Sequence, residues 1–401
     1  MPAFTADSPT PPLARTADEW AAFVAQHGGR PFHGKQIFRW IHARSVTDPA
    51  SMSDLPKALR EAMAALELPK VLEVTTVRRA ADGTRKLLVR MHDGATVETV
   101  LIPGVTGGRS ELPSPLGDGY EDADAASVAD DEDLAAEDAA APDAAATVRV
   151  TQCISTQVGC AMGCVFCASG VAGLKRHMTP DEIVAQVLEG RRQLDPSERL
   201  TNVVLMGMGE PLHNYEATKA ALRLITHPDG IGLSNRRVTV STSGLVPEIK
   251  RLGEDFGGQI GLAISLHATS DETRSRLMPI NKKYPLDELL AALRAYPLPK
   301  RRRITIEYTL VAGKNDTPDE AKKLARLLRG IPVKVNLIPM NPIEASSLGP
   351  PDLTGVLAFQ RILVDAGYSC FIRRRRGDDV SAACGQLALS GEKRRVRVVR
   401  D

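Results

Sequence analysis

From residue 149 onward, short apolar runs alternate with stretches whose apolar residues recur at helical spacing. The runs at 149–154, 202–206, 237–241, 260–266, 303–310 and 332–338 predict strands. Helical periodicity follows most of them, at 180–194, 215–226, 247–252, 286–295, 318–328 and 353–366. Thr179-Pro180-Asp181-Glu182 and Thr317-Pro318-Asp319-Glu320 are helix starts, each with a capping hydroxyl, proline at the first helical position and acids in the first turn. Six β/α units predict an α/β fold in which a parallel sheet curls into a partial (β/α)6 barrel.

The first hundred residues are patterned differently. Residues 14–66 read as a small helical domain, in which Ile37, Trp40 and Ile41 share an apolar face. Lys35, Arg39 and His42 form a second stripe at helical spacing, which reads either as a wet basic face or as an accessory nucleic-acid contact. Residues 70–103 read as a β linker, with strands at 71–74, 86–90 and 96–102 around a turn at Asp82-Gly83.

Charge changes this picture in one place. The chain has 401 residues and a net charge of +2. Residues 105–147 hold twelve acids and one base, so the remainder carries +13. Rich in Ala, Gly and Pro, that stretch buries too little apolar surface to offset its ordering entropy, and 104–147 is expected to be a disordered acidic insert. The barrel then spans 148–390, and 391–401 is a basic tail. A basic body points to a polyanionic partner such as nucleic acid. No apolar run approaches the ~18 residues of a membrane span, and no secretory signal is visible at Met1–Leu13. Six cysteines in such a chain suggest free thiols or metal ligands in a reducing, cytoplasmic setting. Nothing requires more than a monomer.

The densest chemistry is Cys160-Ala-Met-Gly-Cys164-Val-Phe-Cys167, after the first barrel strand. Three thiolates with one open position could hold zinc and a water, or an iron–sulfur cluster. No second paired cysteine motif accompanies them, and three cysteines on one loop suit a [4Fe–4S] cluster with one iron exposed. Gly207-Met-Gly-Glu-Pro211, Ser241-Thr-Ser-Gly244, Ser265-Leu-His267 and Pro339-Met-Asn-Pro342 fall at C-terminal strand ends, where such barrels build their sites. Cys370 lies in an apolar strand and reads as a core thiol.

The cysteine loop, with Phe166 before its last thiol, resembles that of the radical S-adenosylmethionine enzymes, and Gly207–Pro211 resembles their motif for the methionine amino group. The motifs around Cys153, Met206–Leu212, Val240–Gly244, Ile264–His267, Pro279–Lys283, Asn336–Pro342 and Gly377–Leu387 narrow the resemblance to the RlmN-type adenine C2 methyltransferases of 23S rRNA and tRNA. Cfr-type C8 methyltransferases, which share the cluster loop and both flanking cysteines, are the alternative.

The resemblance implies roles. Cys160, Cys164 and Cys167 hold the [4Fe–4S] cluster. Gly209, Glu210, Ser241, Ser265, Leu266, His267 and Asn341 contact S-adenosylmethionine. Cys384 takes a methyl group from one S-adenosylmethionine. A second is cleaved to a 5′-deoxyadenosyl radical that removes hydrogen from the S-methyl group. The methylene radical adds to adenine C2, which is too electron-poor for ordinary methyl transfer. After loss of an electron and of the C2 proton, for which Glu98 is the acceptor, Cys153 attacks the sulfur of Cys384 and releases the base as a disulfide forms. An electron donor such as flavodoxin is implied.

Overall fold

The computed structural model describes residues 4–5, 7–68, 71–104, 148–344, 346–373 and 376–387. The acidic stretch from 105 and the basic tail lie outside them. Among the described residues no helix is long and apolar enough to cross a membrane.

The N-terminal part is three helices, α1 (Ala17–Gln26), α2 (Phe32–Phe38) and α3 (Lys57–Ala64), with a wider helical turn extending α2 through Ala43. Thr16 and Glu19 close a reciprocal capping box that starts α1, satisfying two otherwise orphaned amides. Trp20, Val24, Ile37, Phe38 and Ile41 are fully buried between the helices.

The basic stripe does not form a free face. Lys35 and Arg39 both pair with Asp229, at 2.9 and 2.6 Å, and so tie this part to the barrel. His42 is wholly buried beside Phe38, and burial, with His227 and Arg191 nearby, pushes its pKa down to about 3. Arg191 donates to the His42 and Ala43 carbonyls and Arg192 to that of Ser45, satisfying the end of the helical turn. The spacing was right for a stripe, but a helical repeat does not say whether its partner is solvent or another part of the chain.

One ten-stranded sheet runs through the molecule. Strands β1 (Leu72–Arg79), β2 (Arg85–Met91) and β3 (Thr96–Pro103) form an antiparallel meander, and β3 pairs antiparallel with β4 (Val148–Cys153). The linker strands are therefore continuous with the barrel sheet. From β4 the strands are parallel: β7 (Glu198–Leu205), β8 (Val238–Thr242), β9 (Gly261–Ser265), β10 (Ile304–Leu310), β11 (Val333–Pro339) and β12 (Cys370–Ile372). That is seven parallel strands where six were expected, because β12, three residues long, joins the edge beside β11. Among the described residues β1 and β12 are the two edges of the sheet, so it does not close on itself.

A short ladder, β5 (Gln157–Val158) with β6 (Arg176–His177), closes the base of the cysteine loop, and α4 (Ala168–Ala172) follows the last thiol. The outer helices are α5 (Pro180–Arg192), α6 (Tyr215–Ile225), α7 (Val246–Phe256), α8 (Asp271–Leu277), α9 (Leu286–Arg294), α10 (Pro318–Leu327) and α11 (Leu353–Asp365). Strand interiors such as Val203, Val240, Ile264, Ile306 and Val335 are fully buried against them.

Candidate active site

At the C-terminal ends of the strands lies a cavity of about 890 Å³, its open mouth included. Its wall brings together residues far apart in the chain: Cys160, Cys164 and Cys167; Gly209 and Glu210; Ser241; Ser265 and His267; Asn341; and Cys384. Every expected site residue except Leu266, Cys153 and Glu98 is on this wall.

Burial pushes the Cys160 thiol up to about 12, with the Cys167 and Glu210 charges adding to the effect. Cys164 and Cys167 are also raised by burial. Such thiols ionise only when a cation replaces the lost hydration, which is what bound iron or zinc does. Among the described residues no three Cys, His, Asp or Glu side chains gather tightly enough to share one ion. A lone zinc needs every sulfur within about 2.3 Å of one centre. Three thiols around one open cavity have the donor chemistry of an iron–sulfur cluster.

The polar wall is built by cross-links between strand ends. Glu210 is buried, which raises its pKa, while hydrogen bonds from Ser243 and Leu212 oppose that shift. Its Oε2 accepts from Ser243 N and Oγ at 2.7 and 2.8 Å, and its Oε1 from Leu212 N. Gly209 sits at φ +104, and a Cβ there would lie 2.6 Å from Gln157 Cβ. That close approach lets Gln157 Oε1 accept from Glu210 N at 2.8 Å.

His267 has φ +58 and is buried edge-on to Phe166, with ring centroids 4.8 Å apart. Its Nδ1 accepts from Thr309 N at 2.8 Å, and burial pushes its pKa down to about 3. A neutral ring whose Nδ1 accepts carries its proton on Nε2, so His267 is a neutral donor. Asn341 Nδ2 donates to the Cys384 carbonyl at 2.9 Å, while its buried Oδ1 has no partner among the described residues. A buried acceptor left over on a cavity wall suits a ligand donor such as an ammonium or hydroxyl.

Leu266 is fully buried and does not line the cavity; its carbonyl accepts from Arg274 instead. Cys153 ends β4 inside the sheet, opposite Val100, and its carbonyl accepts from Thr99 Oγ1. Glu98, on β3, is buried and paired with Lys86 at 3.0 Å. Cys384 is on the wall with the three loop cysteines, and the next carbonyl, Gly385 O, accepts from Ala168 N at 2.8 Å. The carrier and cluster loops are thus joined directly. Cys370 is buried on β12 with its thiol pushed up to about 12 by burial.

Sequence reasoning missed Arg274. Fully buried on α8, its guanidinium donates to Leu266 O, Ser265 O, Ser243 O and Asn281 Oδ1. It clamps the ends of β8 and β9. Asp271–Leu277 is a short and highly charged segment with two arginines, and nothing in its sequence singles out Arg274 over Arg276.

Residues 154–328 match the radical SAM superfamily, and residues 13–67 match the ribosomal RNA large subunit methyltransferase N-terminal domain. The chain is 67% identical over 390 residues to the dual-specificity RNA methyltransferase RlmN of Sorangium cellulosum, covering 97% of this chain and 98% of that protein. It is 43% identical to the protein of the same name from Anaeromyxobacter dehalogenans, covering 95% and 93%. The crystal structure of a radical SAM methyltransferase from Sphaerobacter thermophilus superposes with a TM-score of 0.79 at 40% identity, covering 94% of this chain and 99% of that one.

Proposed function

The chain belongs to the RlmN family of radical SAM RNA methyltransferases, and from that premise we propose that it methylates C2 of an adenosine in 23S rRNA and in tRNA. The family implies a [4Fe–4S] cluster and S-adenosylmethionine. We assign the cluster to Cys160, Cys164 and Cys167, and the cofactor contacts to Gly209, Glu210, Ser241, Ser265, His267 and Asn341, with Leu266 contributing through its main chain alone. The cluster, when bound, supplies the electron that cleaves S-adenosylmethionine.

One observation carries the methyl-carrier reading: Cys384 shares a cavity wall with the three loop cysteines, hundreds of residues away in sequence terms yet one hydrogen bond from their loop. The Cys384 thiolate displaces S-adenosylhomocysteine from one S-adenosylmethionine and becomes S-methylated. After hydrogen removal by the fragment of a second, which leaves as 5′-deoxyadenosine, the carrier carbon bonds to C2. The adduct then loses one electron, for which the cluster, when bound, would be the acceptor, and Glu98 takes the C2 proton. Cys153 thiolate then attacks the Cys384 sulfur; a disulfide forms and the freed carbon takes a proton as a methyl group. The disulfide is reduced before the next turnover, and a donor such as flavodoxin supplies electrons. Cys153 ends β4 and Cys384 lies on the cavity wall, and this last step joins their two sulfurs.

We assign RNA docking to the helical part, 14–66, by surfaces other than the Lys35–Arg39 stripe, and we place the enzyme in the cytoplasm as a monomer. The test is to digest methylated RNA to nucleosides. Product as 2-methyladenosine supports this reading; 8-methyladenosine would replace it with the C8 chemistry. Replacing Cys384 with Ala should abolish methylation, and replacing Cys153 with Ala should trap an RNA–protein adduct.

A further inference from the structure

Lys86 is a buried ammonium that touches two parts of the proposed machinery at once. On the antiparallel strands β2 and β3, Leu88 lies opposite Glu98 and Lys86 opposite Val100, and Val100 in turn lies opposite Cys153. Opposed residues project to the same face, and so do alternate residues along a strand, so Lys86, Glu98 and Cys153 share one face of the sheet. Lys86 Nζ is 3.0 Å from Glu98 Oε1 and donates to Ser381 O at 3.1 Å. Both side chains of the pair are about nine-tenths buried, at 10% and 7% exposure.

Ser381 precedes Cys384 by three residues and has φ +51, a left-handed conformation that a serine keeps only where its surroundings impose it. Those surroundings come from the β1–β2 hairpin. Gly377 N donates to Asp82 Oδ2 at 3.1 Å, and Ala81 N donates to Asp379 Oδ2 at 3.1 Å. Arg376 stands 3.9 Å from Asp82. The hairpin turn holds the start of the carrier segment, and Lys86 holds the part next to the cysteine.

We propose that Lys86 is a positioning residue for methyl transfer: its ammonium joins the carboxylate of Glu98 to the Ser381 carbonyl and so sets the Cys384 segment relative to the proton acceptor. The inference rests on the roles given above to Cys384 and Glu98. A lysine suits the task because it offers three donors from one point at the end of a long stem, enough to serve two acceptors on different elements. Its charge is compensated by Glu98, without which its burial would be unfavourable. The clasp is also separable from the cluster: neither Lys86 nor Ser381 is on the cavity wall.

The experiment compares full-length, cluster-loaded wild type with Lys86→Met and Lys86→Arg. Two quantities are read: amide hydrogen exchange of peptides covering 377–387, and the single-turnover rate of adenosine methylation at saturating RNA. Lys86→Met should speed exchange in that segment about tenfold or more, the loss expected when a charged hydrogen bond is removed. It should slow methylation about tenfold or more while the RNA KM stays within about threefold, since the lost contact acts on the bound complex. Lys86→Arg, which keeps charge and donors, should restore both to within about threefold. If Lys86→Met is insoluble, Lys86→Gln is compared in its place. Wild-type exchange at 377–387, or a methylation loss without it, overturns the proposal. If wild type itself methylates no adenosine, the functional reading fails, and the exchange data alone decide whether Lys86 holds the segment.

Discussion

Arg274→Lys tests whether the site is held by one guanidinium fork. Arg274 makes four hydrogen bonds in three directions, at 2.7–3.1 Å, to Ser243 O, Ser265 O, Leu266 O and Asn281 Oδ1. Burial lowers its pKa to about 10, with Cys164 and Asp271 opposing, so it remains charged at neutral pH. A lysine keeps the charge but presents its donors from a single point and can satisfy only one side of the fork. About two buried acceptors are left unmet, each costing ~1–3 kcal/mol, for a total of roughly 2–6 kcal/mol. Against a typical folding stability of about 5–15 kcal/mol, that is readily seen as a lower urea midpoint under anaerobic conditions. Because Ser243 and Ser265 are on the elements that line the cavity, S-adenosylmethionine affinity should fall as well. A variant with the wild-type midpoint and affinity would refute the claim that this fork sets the strand ends.

Other outcomes follow from single contacts. Gly209→Ala combines a left-handed backbone with a clash against Gln157, for a cost of roughly 2–5 kcal/mol; equal thermal stability to wild type would contradict the geometry. His42 has a depressed folded pKa, so the unfolded chain binds the extra proton between about pH 6.5 and 3, and stability is lost as pH falls through that window. Between pH 7.5 and 5.5 wild type should therefore lose about 1.4 kcal/mol more than His42→Leu; parallel pH curves in urea unfolding would show that the buried ring does not titrate. Asn341→Leu removes the donor to Cys384 O and should slow S-methylation of Cys384, measured by intact-protein mass spectrometry; unchanged loading would mean that the loop is held elsewhere.

The barrel was legible because each β/α unit carries its own signals. Thr179 and Thr317 mark helix starts within one residue, and the apolar runs sit within a few residues of the observed strands. What escaped is what lacks a local signal. Asp271–Leu277 is too short and too charged to show a helical apolar face, and it carries Arg274. The apolar strand around Cys370 was legible, but with only three paired residues it gave no sign that it joins the parallel sheet as a seventh strand. The site was legible through motifs, and these gathered Cys160, Gly209, His267, Asn341 and Cys384 on one wall. Cys153 and Glu98 are absent from the lining of that cavity, but strand register puts them on the sheet face whose Lys86 holds the carrier segment at Ser381, a placement no local motif announces. Lys86 had no motif at all; its meaning comes from two partners distant in sequence.

The junction of β3 and β4 has a consequence for how this chain tolerates length. Pro103 lies opposite Val150, and Gly104 N donates to Arg149 O at 2.6 Å, so the two ends of the acidic stretch are fastened side by side as a hairpin would be. Closing a connection of n residues costs entropy that grows only as its logarithm, so shortening about forty residues to four would gain roughly 2 kcal/mol and disturb no strand pair. The same seam is where the gene could be cut in two, or another domain spliced in, with the sheet itself acting as the suture.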